Sequence, residues 1–305
     1  MKRRSFLAGA AVTAAATAQN KGVLPKRRYR DGVSLSIIGF GGIVVVGMEQ
    51  ADADREVAQS VERGVNYFDV APSYGKGEAE EKLGPALKPY RKNVFLACKT
   101  QKRDAAGARE EFEQSLRRLH TDYFDLYQFH SVSSMDDVER ILAPGGAAEF
   151  FVKARQEGKV RYLGFSAHSA EAALALMDRM PLDSVLFPVN YILYAEGNFG
   201  PQILAKAKEK GMARLALKAL AETRWPKGEA RTHKKTWYRP ISGPERARQA
   251  LRFTLSEDIT AAIPPGDEGL YPMALGLAAD FTPLSQSERT RLLASAKGIE
   301  PIFRA

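Results

Sequence analysis

The sequence predicts a single (β/α)8 barrel, the TIM-barrel architecture. Short β-rich runs, each followed by a longer amphipathic stretch, recur eight times between residues 33 and 284. The length of 305 residues suits one such barrel. An open doubly wound sheet is the competing architecture, and it would carry a G-x-G-x-x-G turn after its first strand. Gly39, Gly41 and Gly42 do not have that spacing. The expected strands are 35–40, 67–70, 94–99, 124–129, 160–165, 184–189, 214–219 and 259–263. Helical periodicity fills the intervals. Phe112, Leu116 and Leu119 share one face of 105–119, and Val57 and Val61 share a face of 55–63, with Gly64 as a stop signal. In a barrel, working side chains belong at or just past the C-terminal strand ends. That rule singles out Asp69, Lys99, His130, Ser166, His168 and Lys218. Polar groups beside buried apolar strands are costly unless they pair or work.

Composition narrows the function classes. Hydrophobic residues make up 45% and charged residues 27%, so a sizeable core can form. The formal charge is +9, and subtracting Lys2, Arg3 and Arg4 leaves +6. The remaining charge forms no basic stripe, so no nucleic-acid partner is expected. An anionic cofactor would still be drawn to a mildly basic mouth. Cys98 is the single cysteine, which excludes an intramolecular disulfide and a cysteine-built zinc or iron–sulfur centre. His120, His130, His168 and His233 show no paired ligand spacing, so no metal site is expected.

Residues 1–18 read as an address. A charged start precedes a small-residue apolar run over 7–18, and Ala16-Thr17-Ala18 fits an A-x-A cleavage site. Arg3-Arg4 before Ser5-Phe6-Leu7 resembles a twin-arginine export signal. The run is shorter than the roughly 20 residues of a stable membrane anchor. No cysteine follows it for lipid attachment. The expected organisation is a signal over 1–18, a linker over 19–32 and the barrel over 33–305. The expected partner is the twin-arginine machinery. The expected location is the periplasm, reached after folding in the cytoplasm, where a nucleotide could be loaded first.

Two segments and a lysine carry a family resemblance. Asn66-Tyr67-Phe68-Asp69-Val70-Ala71-Pro72-Ser73-Tyr74-Gly75 places an Asp five residues before a Tyr-Gly. Ser115-Leu116-Arg117-Arg118-Leu119 is followed by Thr121-Asp122-Tyr123-Phe124-Asp125-Leu126-Tyr127 and ends at His130. Together with Lys99, and with Gly164-Phe165-Ser166, these resemble the signatures of the aldo-keto reductases, in the family's order. The resemblance implies reduction of an aldehyde or ketone to an alcohol with a nicotinamide cofactor, NADP or NAD. It also implies catalytic roles for Asp69, Tyr74, Lys99 and His130. The chemistry calls for such groups. Hydride addition leaves charge on oxygen, so a proton donor must stand beside it. A tyrosine with a pKa near 10 is a reluctant acid, and an ammonium beside it eases the phenolate. A carboxylate keeps that ammonium charged, and a histidine can orient the carbonyl.

The cofactor side departs from the family pattern. Ser166-Ala167, then His168, stands where Ser-Asn is usual. Pro188 stands for a glutamine, with Asn190 near it, and Lys218 stands for an aromatic ring. The expected cofactor contacts are Ser166, Asn190, Lys218, Arg224 and Gly266. Asp267 and Glu268 either oppose a 2′-phosphate or cap the next helix, whereas the family leans towards NADP. The aromatic-rich insertion over 220–240 either covers a ligand or plugs the barrel. Two other readings remain. One is a nicotinamide-nucleotide-binding barrel with a sensing role and little turnover. The other is a carboxylate hydrolase, which lacks a second well-placed acid.

Overall fold

In the computed structural model, residues 22–305 are described. The expected export signal and cleavage site lie outside them. An antiparallel hairpin opens the fold, with β1 (Lys26–Arg30) paired to β2 (Val33–Ser36). Seven parallel strands follow: β3 (Phe40–Gly41), β4 (Tyr67–Asp69), β5 (Phe95–Thr100), β6 (Phe124–Val132), β7 (Val160–Ala167), β8 (Ser184–Pro188) and β9 (Ala213–Leu217). A second hairpin, β10 (Ala221–Arg224) with β11 (Tyr238–Pro240), interrupts the series before β12 (Ala261–Ile263) completes it. The eight parallel strands lie in sequential order from β3 to β12. A parallel bridge between Ile38 and Ala262 brings the two edges together, with the Gly39 amide 2.9 Å from the Ala262 carbonyl. Together these make a single (β/α)8 barrel.

The expected first strand, 35–40, is two elements. Leu35 belongs to the opening hairpin and Phe40 to the barrel. The turn between them is held by the Ser36 hydroxyl, which donates to the Ile38 carbonyl at 2.7 Å. Only Ser36 and Gly39 interrupt the apolar run, so periodicity alone does not reveal the break. The expected linker over 19–32 also needs correcting, because from Lys26 onward it is hairpin. Tyr29 enters the barrel's interior core there, 5.0 Å from the Phe95 ring and 5.2 Å from the Tyr162 ring.

Strand alternation sorts the residues by role. On β4, Tyr67 and Asp69 share a face. So do Phe95, Ala97 and Lys99 on β5, and Leu126, Gln128 and His130 on β6. The lower members of each set pack the barrel's apolar interior. The upper members are the polar ones, and they lie at the C-terminal ends. Intervening residues such as Phe68, Leu96, Cys98 and Tyr127 pack outward in the larger core under the helices. The helices begin as their sequences ask. Asp104 caps Ala105–Arg118 by accepting from the Gly107 amide at 2.8 Å. Gln50–Glu62 ends just before Gly64, whose φ of 88° suits glycine.

Candidate active site

A cavity of about 960 Å3, counting its open mouth, sits over the C-terminal strand ends. Asp69, Tyr74, Lys99, His130, Ser166, His168 and Lys218 all line it. Residues from several different strands and the loops after them thus converge on one volume.

Its most buried feature is an ion pair. The Lys99 ammonium donates to Asp69 Oδ1 and, at 3.3 Å, to the Val70 carbonyl. The second oxygen of Asp69 accepts from the Tyr67 hydroxyl and from Gln128 Nε2, each at 3.1 Å. A buried carboxylate needs such partners, because dry ionic groups are otherwise expensive. Burial alone would depress Lys99, but Asp69 and Tyr74 outweigh it and the net direction is upward. Lys99 therefore stays charged. Its Nζ lies 5.3 Å from the centre of the Tyr74 ring.

Tyr74 begins a short 3-10 turn, Tyr74–Gly77. Gly75, Lys76 and Gly77 all have positive φ there. A Cβ at 77 would also fall 2.6 Å from the Arg118 guanidinium, which would have to shift. Arg118 in turn pairs with Glu80 at 3.2 Å, so the second signature segment braces the turn that presents Tyr74. The sequence leads to the expectation that Lys99 lowers Tyr74. In the structure burial wins over the ammonium, and the phenol is pushed up, so Tyr74 is protonated at neutrality.

His130 stands edge-on to Tyr74, ring centres 5.7 Å apart. Burial first, then Lys99, His168, Arg103 and Lys218, hold it well below its usual range. It is a neutral imidazole. Its Nδ1 is buried without a hydrogen-bond partner among the described residues. Such an orphan costs about 1–3 kcal/mol, which a polar ligand would offset. Arg103 fixes the strand end beneath it. That guanidinium donates to the His130 carbonyl at 2.8 Å and pairs with Asp137 at 2.8 Å.

The expected cofactor contacts divide. Ser166 lines the cavity. Its hydroxyl accepts from the Ser131 amide at 2.8 Å, which leaves its own proton to donate. Gly266 also lines it, and a Cβ there would meet Ile43 at 2.7 Å. Lys218 reaches the cavity from a left-handed backbone, φ 67°. Asn190 and Arg224 need correcting, because neither lines the cavity. Asn190 caps Tyr191–Glu196 through the Leu193 amide, and its Nδ2 donates to the Lys218 carbonyl at 2.9 Å. Its amide is spent on the backbone. Arg224 is exposed, 5.4 Å from the Trp237 ring and 3.4 Å from the Ile302 carbonyl.

The acidic pair and the insertion resolve each other. Asp267 accepts from the Gly269 amide at 3.0 Å, the helix-capping reading, and contacts His233 at 3.1 Å. Glu268 pairs with Lys235 at 3.2 Å, and Lys235 also donates to the Val44 carbonyl at 2.9 Å. The insertion therefore lies across the barrel mouth, with Lys235, Thr236, Trp237 and Tyr238 on the cavity wall.

Comparison with known proteins decides the family. The Aldo/keto reductase family model matches residues 38–251, well over half the chain. The chain is a member of the aldo-keto reductase family. Aldo-keto reductase YhdN of Bacillus subtilis is 32% identical over 195 residues, covering 60% of this chain and 56% of that protein. Methylglyoxal reductase YeaE of Escherichia coli is 34% identical, covering 46% and 48% respectively. The chain thus spans about half the length of these curated relatives. Among solved structures, aldo-keto reductase AKR11C1 from Bacillus halodurans superposes with a TM-score of 0.71 at 24% identity, over 91% of this chain and 98% of that one. That likeness supports the barrel fold.

An aldo-keto reductase site works with a nicotinamide nucleotide, and the residues present fit one. His130 Nδ1 is an orphaned buried atom, Ser166 has a free proton, and Lys235, paired with Glu268, stands at the mouth with Gly266. Sequence reading missed Tyr67, Gln128 and Arg103 as supports of the site. Strand alternation from Asp69 and His130 would have pointed to the first two. Nothing local marks Arg103, or Phe303, whose ring stacks on His168 at 4.9 Å from the far end of the chain.

Proposed function

We propose that this chain reduces an aldehyde or ketone to an alcohol with a nicotinamide nucleotide, and that Tyr74 is the general acid. The observation that carries this is one cavity holding a protonated Tyr74 beside a charged, buried Lys99–Asp69 pair and a neutral His130. The bound nucleotide supplies the hydride. Ser166 and the end of the mouth near Lys235 and Gly266 would hold it. His130 donates a hydrogen bond that orients the carbonyl oxygen. Tyr74 gives its proton to that oxygen, and Lys99 stabilises the phenolate left behind. Asp69, steadied by Tyr67 and Gln128, keeps the lysine charged and in place. NADPH is the expected donor. The family leans that way, and Asp267 and Glu268 are engaged with His233 and Lys235.

The test follows nicotinamide absorbance with NADPH and with NADH, across a panel of small aldehydes and ketones. Loss of absorbance, faster with NADPH, is expected. Retention of a tightly bound nucleotide with no turnover on any carbonyl would instead favour the sensing role. The pH profile offers a second check. Because His130 stays neutral, kcat with an uncharged aldehyde should show no inflection near the ordinary histidine pKa of about 6.5. A clear histidine titration there would overturn its assignment.

Export through the twin-arginine route is part of the proposal. It is supported by Arg3-Arg4, the apolar run and Ala16-Thr17-Ala18. Cell fractionation should find the wild-type chain in the periplasm and the Arg3→Lys/Arg4→Lys double variant in the cytoplasm. Equal distribution of the two would remove the export reading.

A further inference from the structure

Of the lysines on the cavity wall, Lys99 is paired to Asp69 and Lys235 to Glu268. Lys218 is different. Burial is the sole influence on its ammonium, and it has no acidic partner among the described residues. We propose that Lys218 anchors an acidic group on the substrate, so that the pocket selects carbonyl compounds bearing a carboxylate. This rests on the reductase reading above and names the substrate class for it.

Several independent features point the same way. The backbone at Lys218 is left-handed, φ 67°, a conformation that glycine adopts more cheaply. Local geometry gives no reason for a lysine there. The strained residue is also pinned: its carbonyl accepts from Asn190 Nδ2 at 2.9 Å and from the Ala221 amide at 3.0 Å. The ammonium lies 5.0 Å from the Tyr238 ring and 5.4 Å from the Trp237 ring. These aromatic faces hold the cation without neutralising it. Burial lowers it to about 8, so it remains mostly protonated at neutrality.

The charge is also aimed correctly. Lys218 lines the same cavity as Tyr74 and His130, and its field helps to depress both His130 and His168. Those imidazoles are neutral, and burial keeps the Tyr238 phenol protonated. No neighbour on β11 or after β7 therefore cancels the ammonium. Lys218 is half-buried on the cavity wall, and a carboxylate ligand supplies its ammonium with a charge-assisted hydrogen bond. Lys218, His130 and Tyr74 line one cavity, so a carboxylate held by Lys218 shares that volume with the reacting carbonyl.

The experiment compares kcat/KM for length-matched pairs at neutral pH: glyoxylate against acetaldehyde, and succinic semialdehyde against butanal. At least one acid should be preferred over its neutral partner, by tenfold or more. Lys218→Met should reduce that preference at least tenfold, through KM. A wild type with no preference, a variant in which both members fall alike, or a variant whose main defect is weaker NADPH binding would overturn the proposal. A measurement without turnover separates this from the reductase reading. Butyrate, titrated against the intrinsic fluorescence of Trp237 in a Trp225→Phe background, should saturate with Lys218 present and not with Lys218→Met. Butyrate binding in a protein that turns over no carbonyl would remove the reductase reading and leave the anion anchor standing. Absence of any butyrate response, in a protein that reduces neutral aldehydes, would do the reverse.

Discussion

Tyr74→Phe is expected to lower kcat by about 10²- to 10⁴-fold, the range supplied by a positioned general acid. The substitution removes one oxygen and keeps the ring. That ring still stands edge-on to His130 and under the Lys99 ammonium, so packing should survive. Nucleotide affinity, read by fluorescence titration, should be unchanged, because the hydroxyl serves the reacting carbonyl. The loss should therefore appear in kcat at saturating nucleotide and substrate. Turnover within a few-fold of wild type would remove Tyr74 from the mechanism. The proton would then have to come from water or from His130, whose neutral ring can still donate.

Lys99→Met is expected to cost both activity and stability. It strips the ammonium from a carboxylate that is almost wholly buried, leaving Asp69 with two neutral donors, Tyr67 and Gln128. Breaking one side of a buried pair typically destabilises by about 3–5 kcal/mol. In a domain of this size that corresponds to a melting drop on the order of 10 °C. Activity should fall too, since nothing then stabilises the Tyr74 phenolate. The control is the double variant Asp69→Asn/Lys99→Met, which removes the stranded charge. It should regain much of the lost melting temperature and none of the lost turnover. If the single variant melts like wild type, Asp69 has either become protonated or found water, and the pair does not hold the barrel mouth together.

Both predictions concern residues whose roles are legible in the amino-acid sequence. Strand-end position singles out Asp69, Lys99 and His130, because in a parallel barrel all strand ends open on the same face, and the family resemblance adds Tyr74. A local pattern repeated along the chain therefore implies a shared volume. The cofactor contacts are harder to read. Asn190 and Arg224 sit at or just beyond a strand end, where a cap, a hairpin or a left-handed residue can redirect a side chain. Asn190 is a helix cap, and Arg224 is turned outward at the end of β10.

The sequence by itself determined the fold class and the order of the strands, and its resemblance to the aldo-keto reductases singled out the proposed proton-handling residues. Period-two alternation and strand-end position are local properties, and the barrel preserves them. Only the tertiary structure decided what each long-range contact does. It paired Asp267 and Glu268 with the insertion, brought Phe303 onto His168, and gave Asp69 its second and third donors. It also left Lys218 charged, with no acid beside it among the described residues. The physical reason is that a charge's meaning depends on what neutralises it, and the neutralising group can lie anywhere in the chain.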